Sequence, residues 1–418
     1  MCSSDLRALE LGYTQPLLKG GGFLVNTAPI VIARLNTEQS FFQYKASVQE
    51  LVRGVIEAYW SLVQARLDVR VRNFQVTQSQ EAYKYYQAHH KAGFLHEGNE
   101  SQSLVSYYQF RANLIAAEAA VLQREGALRN LLRLPPADGR QIVPFSAPTF
   151  LRLKPNWDEL VHLAEQRRPD IVELKIIREA DQVRLLQARN ETLPKLDMNV
   201  LYRWNGLSGE MPNGEHLDTG LDHFGEWSVT VNFSVPLGLR QGRAQVRQQE
   251  LILARDQANL DQGFHAAVHE LATTVRDMAS AYEQYLAYKE SRAAAVKNLD
   301  VQRKQLTLGG IAKSNFLNVL QALNDLGTSV SSEGQAVLTY NVALAALEQR
   351  TGTILETHGL VFAEERFRAA GPLGCLGHGR LYPSALIPTG SSNRYPGTGK
   401  PSENLFDLPR PLEPGLKP

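Results

Sequence analysis

Three stretches of the sequence alternate between apolar and polar residues. The clearest covers residues 227–235, where the apolar positions are Trp227, Val229, Val231, Phe233 and Val235 and the polar ones are Ser228, Thr230, Asn232 and Ser234. Residues 7–18 and 193–204 show the same alternation. A period of two is typical of a β-strand with one apolar and one polar face. We therefore predict three strands, each with its large apolar residues on one side.

Long helical segments separate these strands. No proline occurs between Pro29 and Pro135, or between Pro236 and Pro372, and apolar residues in both spans recur every three or four positions. Such spacing predicts long helices that pack as coiled coils, with one seam in each span. The predicted seams are Val48, Val52, Val55, Tyr59, Leu62, Val69 and Val76, and Leu260, Phe264, Ala267, Leu271, Met278, Ala281, Tyr285 and Tyr288.

Each long helix is expected to end at glycine, at Gly93 in the first span and at Gly309 and Gly310 in the second. Glycine commonly ends a helix because it adopts the left-handed conformation without strain. Returning helices follow and end at LRLPP (132–136) and near Gly352. Each unit is therefore predicted to be a helical hairpin whose tip is the glycine region.

The order of strand, long helix, tip and return helix occurs twice. Ala120 corresponds to Ala336 and Gly93 to Gly309, with the same offset in both pairs. Recurrence at a fixed offset indicates an internal repeat. We predict a first repeat at 1–150, a second at 151–358 and a Gly/Pro-rich disordered tail at 359–418.

The second repeat begins with a helical segment, residues 157–191, ahead of its first strand. The first repeat has no counterpart to this segment. We therefore expect the chain to be truncated at its N-terminus, with a signal peptide, a helix and a strand encoded upstream of Leu6.

The strand faces allow two interpretations. In a soluble sheet the apolar face packs on a core, whereas in a transmembrane β-barrel it meets lipid and the polar face lines a wet lumen. The strand lengths, the aromatic Trp204 and Trp227 beside the long loop at 205–225, and the small hydroxylated polar face favour the barrel. Val229, Val231 and Phe233 are then lipid-facing. A few strands cannot close a barrel, so several chains must contribute.

Composition excludes several classes of protein. The formal net charge of +1 argues against a nucleic-acid binder. No window of eighteen consecutive apolar residues is present, which excludes a transmembrane helix. Cys2 and Cys375 lie near opposite ends, so a structural disulfide or a thiolate metal site is not expected.

No catalytic, cofactor-binding or metal site is predicted. His89, His90 and His96 cluster at the first tip, but their spacing does not match a helical metal site and no cysteine is near. Gly20, Gly21 and Gly22 are not followed by the Lys-Ser/Thr of a phosphate-binding loop. We interpret these groups as tip and turn residues.

The sequence resembles the TolC-type outer-membrane efflux family. The resemblance is carried by the tandem repeat, by the strand-to-helix exits QPLLKGGG and VPLGLRQGR, and by RRPDIVELKIIREADQVRLLQARNETLPKLDM. In that family RxPD opens a helix that leads to an LPxL strand entry, as Arg168–Asp170 and Leu193–Leu196 do here. The resemblance covers about residues 7–355.

This resemblance implies a mainly α fold with transmembrane β structure. A homotrimer would form one twelve-stranded outer-membrane β-barrel, with four strands from each chain. The long helical hairpins would form an α-barrel extending into the periplasm. Such a protein is the exit duct of a tripartite efflux or type I secretion system. Its partners are outer-membrane lipid, a periplasmic adaptor protein and an inner-membrane pump.

The chain departs from the family pattern in two respects. It contains three predicted strands rather than four, and its second tip, 309–321, has Lys313 and no acidic residue. Family members often carry Asp where Asn318 stands here. Glu97 and Glu100 in the first tip are the nearby candidates for an acidic ring.

We further expect partner docking at the two tips, through Gly93, Phe94, Gly309, Gly310 and Ile311. At about 1.5 Å per residue, the helix from near Gln241 to Leu308 would reach roughly 100 Å, which places its tip far from the strands. An apolar residue directly after a glycine turn is available to a partner assembly. The alternative function is a soluble, elongated coiled-coil scaffold whose strands pack on one another.

Overall fold

The computed structural model describes residues 4–93, 97–211, 213–220, 224–308, 316–362, 386–388 and 395–409. Helices dominate this part of the chain: α1 (Phe23–Lys91), α2 (Glu97–Leu131), α3 (Trp157–Arg167), α4 (Pro169–Glu191), α5 (Arg240–Leu308), α6 (Phe316–Arg350) and α7 (Ile354–Thr357). Within the described residues, none of these helices is both long enough and apolar enough to cross a membrane.

The four longest helices fall into two pairs of matching length. Both α1 and α5 contain 69 residues, and both α2 and α6 contain 35. The predicted ends of the returning helices are confirmed, since α2 ends just before LRLPP and α6 just before Gly352. Equal lengths are what an internal repeat requires, although the repeat boundaries remain a prediction.

The chain divides into two compact units that do not coincide with the predicted repeats. Unit 1 comprises residues 1–44 and 169–264, and unit 2 comprises 45–168 and 265–418. Each unit therefore draws on both predicted repeats.

Unit 1 contains an antiparallel sheet with β2 at its centre. Its strands are β1 (Ser4–Pro16), β2 (Lys195–Glu210), β3 (His216–Asp218) and β4 (Phe224–Ser234). β1 and β4 pair with opposite edges of β2 along most of its length. The three predicted strands are confirmed.

The prediction that residues 205–225 form a loop is wrong in part. β2 continues to Glu210 because the first residues of β1 supply a pairing partner, with Ser4 opposite Gly209. The short strand β3 then pairs with the end of β2. Backbone pairing with a neighbour extends a strand even where the side chains do not alternate.

The helical part of unit 1 packs α4 against the first part of α1. Leu35 of α1 is buried together with Ile176 and Ala180 of α4. Phe42 and Val172 pack against this cluster. These contacts secure the helix that leads into β2.

Unit 2 has a core built from α1, α5 and α6. The buried stripe of α1 is Trp60, Val63, Leu67, Val71 and Phe74, spaced three or four residues apart. Leu67, Val71 and Phe74 share a cluster with Leu299 of α5 and with Leu326 and Val330 of α6. This is the side-by-side packing expected of long helical hairpins.

The predicted seams are partly confirmed. In α5 six of the predicted seam residues are buried: Leu260, Ala267, Leu271, Met278, Ala281 and Tyr285. Tyr288 stays 38% exposed. In α1 the prediction holds at Val48 and Leu62, whereas the other predicted positions of this seam, and Phe264 of α5, are only half-buried: Val52, Val55, Tyr59, Val69 and Val76. Apolar residues lie on several sides of α1 here, so the spacing fits more than one stripe, and contact with α6 selects the stripe at Leu67, Val71 and Phe74.

The prediction of a disordered tail is wrong for residues 395–409, which pack within unit 2. Arg66 of α1 donates to the Glu403 carboxylate over 2.8 Å. Phe406 is buried in the same core as Leu67. Two further short strands, β5 (Leu360–Phe362) and β6 (Leu386–Pro388), pair with each other. Because all these partners are distant in sequence, local composition does not predict them.

Candidate membrane-facing surface and helical tips

The three long strands place their apolar side chains on the same face of the sheet. Residues directly opposite each other in antiparallel strands project to the same side. Read from β1 through β2 to β4, the rows are Leu11–Tyr202–Trp227, Tyr13–Val200–Val229 and Gln15–Met198–Val231, followed by Leu196–Phe233. The apolar positions predicted strand by strand thus form one continuous surface, which we call the apolar face.

The apolar face is exposed in the structure. On β4, Trp227 is 72%, Val231 60% and Phe233 66% exposed, and Val229 is exposed as well. Leu9, Leu11 and Tyr13 of β1 are also exposed. A soluble sheet buries such residues against a core, whereas a large contiguous apolar surface marks contact with lipid or with another protein.

The opposite side of the sheet, the polar face, carries hydroxyl, amide and charged groups. Two neighbouring rows contain no charge: Gly12–Leu201–Ser228 and Thr14–Asn199–Thr230. The next row is Glu10–Arg203–Glu226, and Lys195 and Asp197 form an ion pair of 3.1 Å near the start of β2. Side chains of this kind suit a water-filled space.

Aromatic residues lie towards one end of the apolar face. The rings of Tyr202 and Trp204 have centroids 4.4 Å apart, and Trp227 is directly opposite Tyr202. Trp227 lies near the start of β4, as predicted, but the prediction that Trp204 ends its strand is wrong because β2 extends to Glu210. Tyr and Trp at one level of a sheet are typical of a membrane–water interface.

The first helical tip has the predicted glycine geometry. α1 ends at Lys91, and the N–H of Gly93 donates to the His90 carbonyl over 2.9 Å. Gly93 has a φ of 75°, the left-handed conformation that suits glycine after a helix end. The other predicted docking residues lie outside the described residues: Phe94, Gly309, Gly310 and Ile311.

Polar side chains join the two helices of the first tip. His90 Nδ1 lies 2.5 Å from Oε2 of Glu100. The other carboxylate oxygen of Glu100 accepts a hydrogen bond from Gln87 over 3.3 Å. His89 Nδ1 lies 2.8 Å from the Tyr85 carbonyl oxygen. In the part of the chain that the structure describes, no three His, Cys, Asp or Glu side chains form a group that could hold a metal ion.

Comparison with known proteins identifies the family. The sequence model described as outer membrane efflux protein matches residues 3–132 and 160–353. The chain belongs to the outer membrane efflux protein family. The predicted resemblance is therefore confirmed. No curated protein matches the sequence significantly.

Solved structures of outer-membrane channels share the fold of this efflux-family protein. The OprN channel gives a TM-score of 0.66 at 16% identity, covering 84% of this chain and 82% of that one. The open state of MtrE from Neisseria gonorrhoeae gives 0.64 at 17%, with 84% and 81% covered. VceC from Vibrio cholerae gives 0.61 at 16%, with 84% and 87% covered.

The family match makes the chain an outer-membrane efflux protein, and its fold is that of the solved outer-membrane channels. OprN and MtrE are outer-membrane channels.

Proposed function

We propose that the protein is the outer-membrane exit duct of a tripartite efflux or type I secretion system. It would carry substrates from the periplasm and an inner-membrane pump to the exterior. The observation that carries this proposal is the apolar face of the sheet, because its rows continue across three strands and are exposed. Membership in the efflux family supports the same role.

In this proposal the apolar face contacts outer-membrane lipid and the polar face lines the lumen. Alternating apolar and polar residues on spanning strands are the pattern of a transmembrane barrel. One chain supplies too few strands to close a barrel, since closure leaves no unpaired edge. We therefore propose that three chains share one barrel, with their helical hairpins extending into the periplasm. Twelve strands require four spanning strands from each chain, one more than the three long strands β1, β2 and β4.

The surface of α2 supports association of several copies of the chain. Val105, Tyr108, Ile115 and Leu122 are exposed and lie on one side of α2, at spacings of three and seven residues. This is the seam of a coiled coil without its partner helix. The occupant we propose is a helix of a second copy of this chain.

The α2 seam can be tested with a charge on either side of the helix. Ile115→Glu is expected to lower the fraction of trimer in detergent, measured by light scattering, because it buries a charge in the seam. Asn113→Glu, on the opposite side of α2, should leave the trimer intact. Equal trimer fractions in both variants would exclude α2 as the contact.

We also propose that an adaptor protein docks at the tips, through Gly93, Phe94, Gly309, Gly310 and Ile311. Cysteines placed at positions 94 and 311 are expected to cross-link to a cognate adaptor, and a cysteine at the exposed Leu286 of α5 serves as the mid-helix control. Intact trimers that cross-link at Leu286 but never at the tips would refute tip docking.

A soluble coiled-coil scaffold, the alternative function, requires the strands to bury their apolar faces against one another. In unit 1 these side chains are exposed instead, which weighs against the scaffold.

Membrane insertion tests the proposed function directly. The chain, refolded with vesicles of outer-membrane lipids, is expected to co-float with the vesicles and to release a small entrapped solute. A chain that remains in the aqueous phase and leaves the vesicles sealed would support the scaffold and overturn the channel.

A further inference from the structure

Three charged residues meet on the polar face of the sheet, one from each long strand. Arg203 of β2 stands directly opposite Glu10 of β1 on one side and Glu226 of β4 on the other. Arg203 Nη2 lies 2.5 Å from a Glu10 carboxylate oxygen, whereas Nη1 lies 3.8 Å from Glu226. We call Glu10, Arg203 and Glu226 the charged triad.

The charged triad carries an excess negative charge that Arg203 does not neutralise. Two carboxylates face one guanidinium, which leaves a net charge of −1 on each chain. The excess resides mainly at Glu226, because Arg203 is closer to Glu10 and the Glu226 side chain is 63% exposed. The Arg203–Glu226 ion pair is long and in contact with water, so the attraction between the two groups is weak.

The rest of the polar face does not offset this charge. Lys195 and Asp197 neutralise each other near the start of β2. The rows that contain Asn199 and Leu201 separate that pair from the triad and are uncharged. The triad row lies between the rows of Tyr202 and Trp204, so it is level with the aromatic residues of the other face.

We propose that the charged triad sets the charge preference of the permeation path, with Glu226 attracting cations and Arg203 limiting that attraction. This rests on the proposed function, in which the polar face lines the lumen. Copies of the triad from several chains at one height form a ring, and rings of acidic side chains raise the local concentration of cations.

The test is the permeability ratio of K⁺ to Cl⁻ through the full-length protein in planar bilayers under a KCl gradient. Substitutions change the triad charge in steps: Arg203→Gln makes it more negative, Glu226→Gln makes it neutral, and Glu10→Gln with Glu226→Gln makes it positive. The ratio is expected to follow that order, with wild type between the first two, by at least about two-fold per step at low salt. In molar salt the steps should shrink, because the screening length falls to about 3 Å.

Two control variants separate charge from shape. Arg203→Lys keeps the charge and should keep the wild-type ratio. Asn199→Gln alters an uncharged row of the same face and should also leave the ratio unchanged. A shift in either control as large as that in Arg203→Gln would overturn the electrostatic assignment.

The outcomes distinguish this inference from the proposed function. If wild-type channels conduct but the K⁺ to Cl⁻ permeability ratio does not depend on the triad charge, the inference is overturned and the proposed channel function stands. A wild-type protein that never conducts would overturn the channel proposal, and the inference with it. If Arg203→Gln fails to assemble, the Glu226→Gln and double variants still decide, because an unchanged ratio in both overturns the inference.

Discussion

Single residues on neighbouring positions of β4 differ in the environment that we assign to them. Val231 lies on the apolar face, opposite Met198, and Thr230 lies on the polar face, opposite Asn199. An arginine on a lipid face must leave water, whereas on a lumen face it stays hydrated.

Val231→Arg, at mid-membrane depth, is therefore expected to destabilise the protein folded in lipid vesicles by roughly 2 to 4 kcal/mol. Thr230→Arg, the matched control, should cost far less. The measurement is reversible denaturant titration in vesicles. Equal losses in the two variants would count against the assigned orientation of β4.

Gly352 is a second residue whose environment dictates its identity. It follows α6 with a φ of 74°, and a Cβ there would clash with the carbonyl oxygen of Arg167. Gly126, inside α2, has no neighbour within 4 Å of the corresponding position. An added methyl group is therefore strained at one site and unobstructed at the other.

We expect Gly352→Ala to destabilise the protein by roughly 2 to 4 kcal/mol, from backbone strain and the carbonyl contact. Gly126→Ala should instead be stabilising by roughly 0.5 to 1 kcal/mol, because alanine is the better helix former. Chemical denaturation of both variants checks the pair. A Gly352→Ala variant as stable as Gly126→Ala would contradict the structure at the end of α6.

At the scale of elements, α4 and α5 are joined in unit 1 by a pair of buried carboxyl groups. Asp181 and Asp256 are both buried and influence each other's pKa, while Arg184 lies 2.7 Å from Asp181 and Arg255 lies 2.8 Å from Asp256. Burial, followed by the contact with Asp256, raises the pKa of Asp181. The hydrogen bond from Arg255 lowers the pKa of Asp256. Of the two carboxyl groups, Asp181 is therefore the one that takes up a proton first as pH falls.

The pH dependence of this pair has a definite sign. A raised carboxyl pKa stabilises the fold at low pH, and this contribution is lost as pH rises from the ordinary value of 3.8 through the folded pKa of Asp181. The lowered pKa of Asp256 acts oppositely: its contribution is lost as pH falls through its folded value.

Asp181→Asn carries a permanent donor in place of the proton. Its stability relative to wild type is expected to rise by roughly 1 to 2 kcal/mol as pH rises from the ordinary value of 3.8 through the folded pKa of Asp181, because wild type then loses the proton and holds two buried carboxylates. Thermal unfolding over a pH series measures this. Asp256→Asn, which removes the acceptor charge, should not reproduce the gain. A stability difference between Asp181→Asn and wild type that stays constant with pH would disprove the raised pKa of Asp181.

The elements differ in how far the sequence predicts them. β4 was predictable because its two faces meet different environments, and the residues from Trp227 to Ser234 therefore alternate. The pattern predicts the α1 seam only in part, because the choice of stripe depends on the contact of Leu67 and Val71 with α6. Residues 395–409 were missed because Phe406 and Glu403 are held by residues distant in sequence.

At the scale of the whole molecule, the order of elements identified the family before any contact was known. The sequence showed strands and long helices in tandem, and the outer membrane efflux match covers both parts. Cross-strand register could not be read from the sequence, because pairing of β1 with β2 joins residues far apart in the chain. The charged triad depends on that register, so sequence alone predicted neither its members nor its geometry.

The central claim is that one face of the sheet contacts lipid and the other lines a lumen. Spin labels placed one at a time at positions 228–233 of the protein in lipid bilayers test it most directly. Collisions with lipid-soluble oxygen are compared with collisions with a water-soluble nickel complex. Oxygen access is expected to be high at Val229, Val231 and Phe233, and nickel access is expected to be high at Ser228, Thr230 and Asn232. Equal access along the strand, or the reverse alternation, would contradict it.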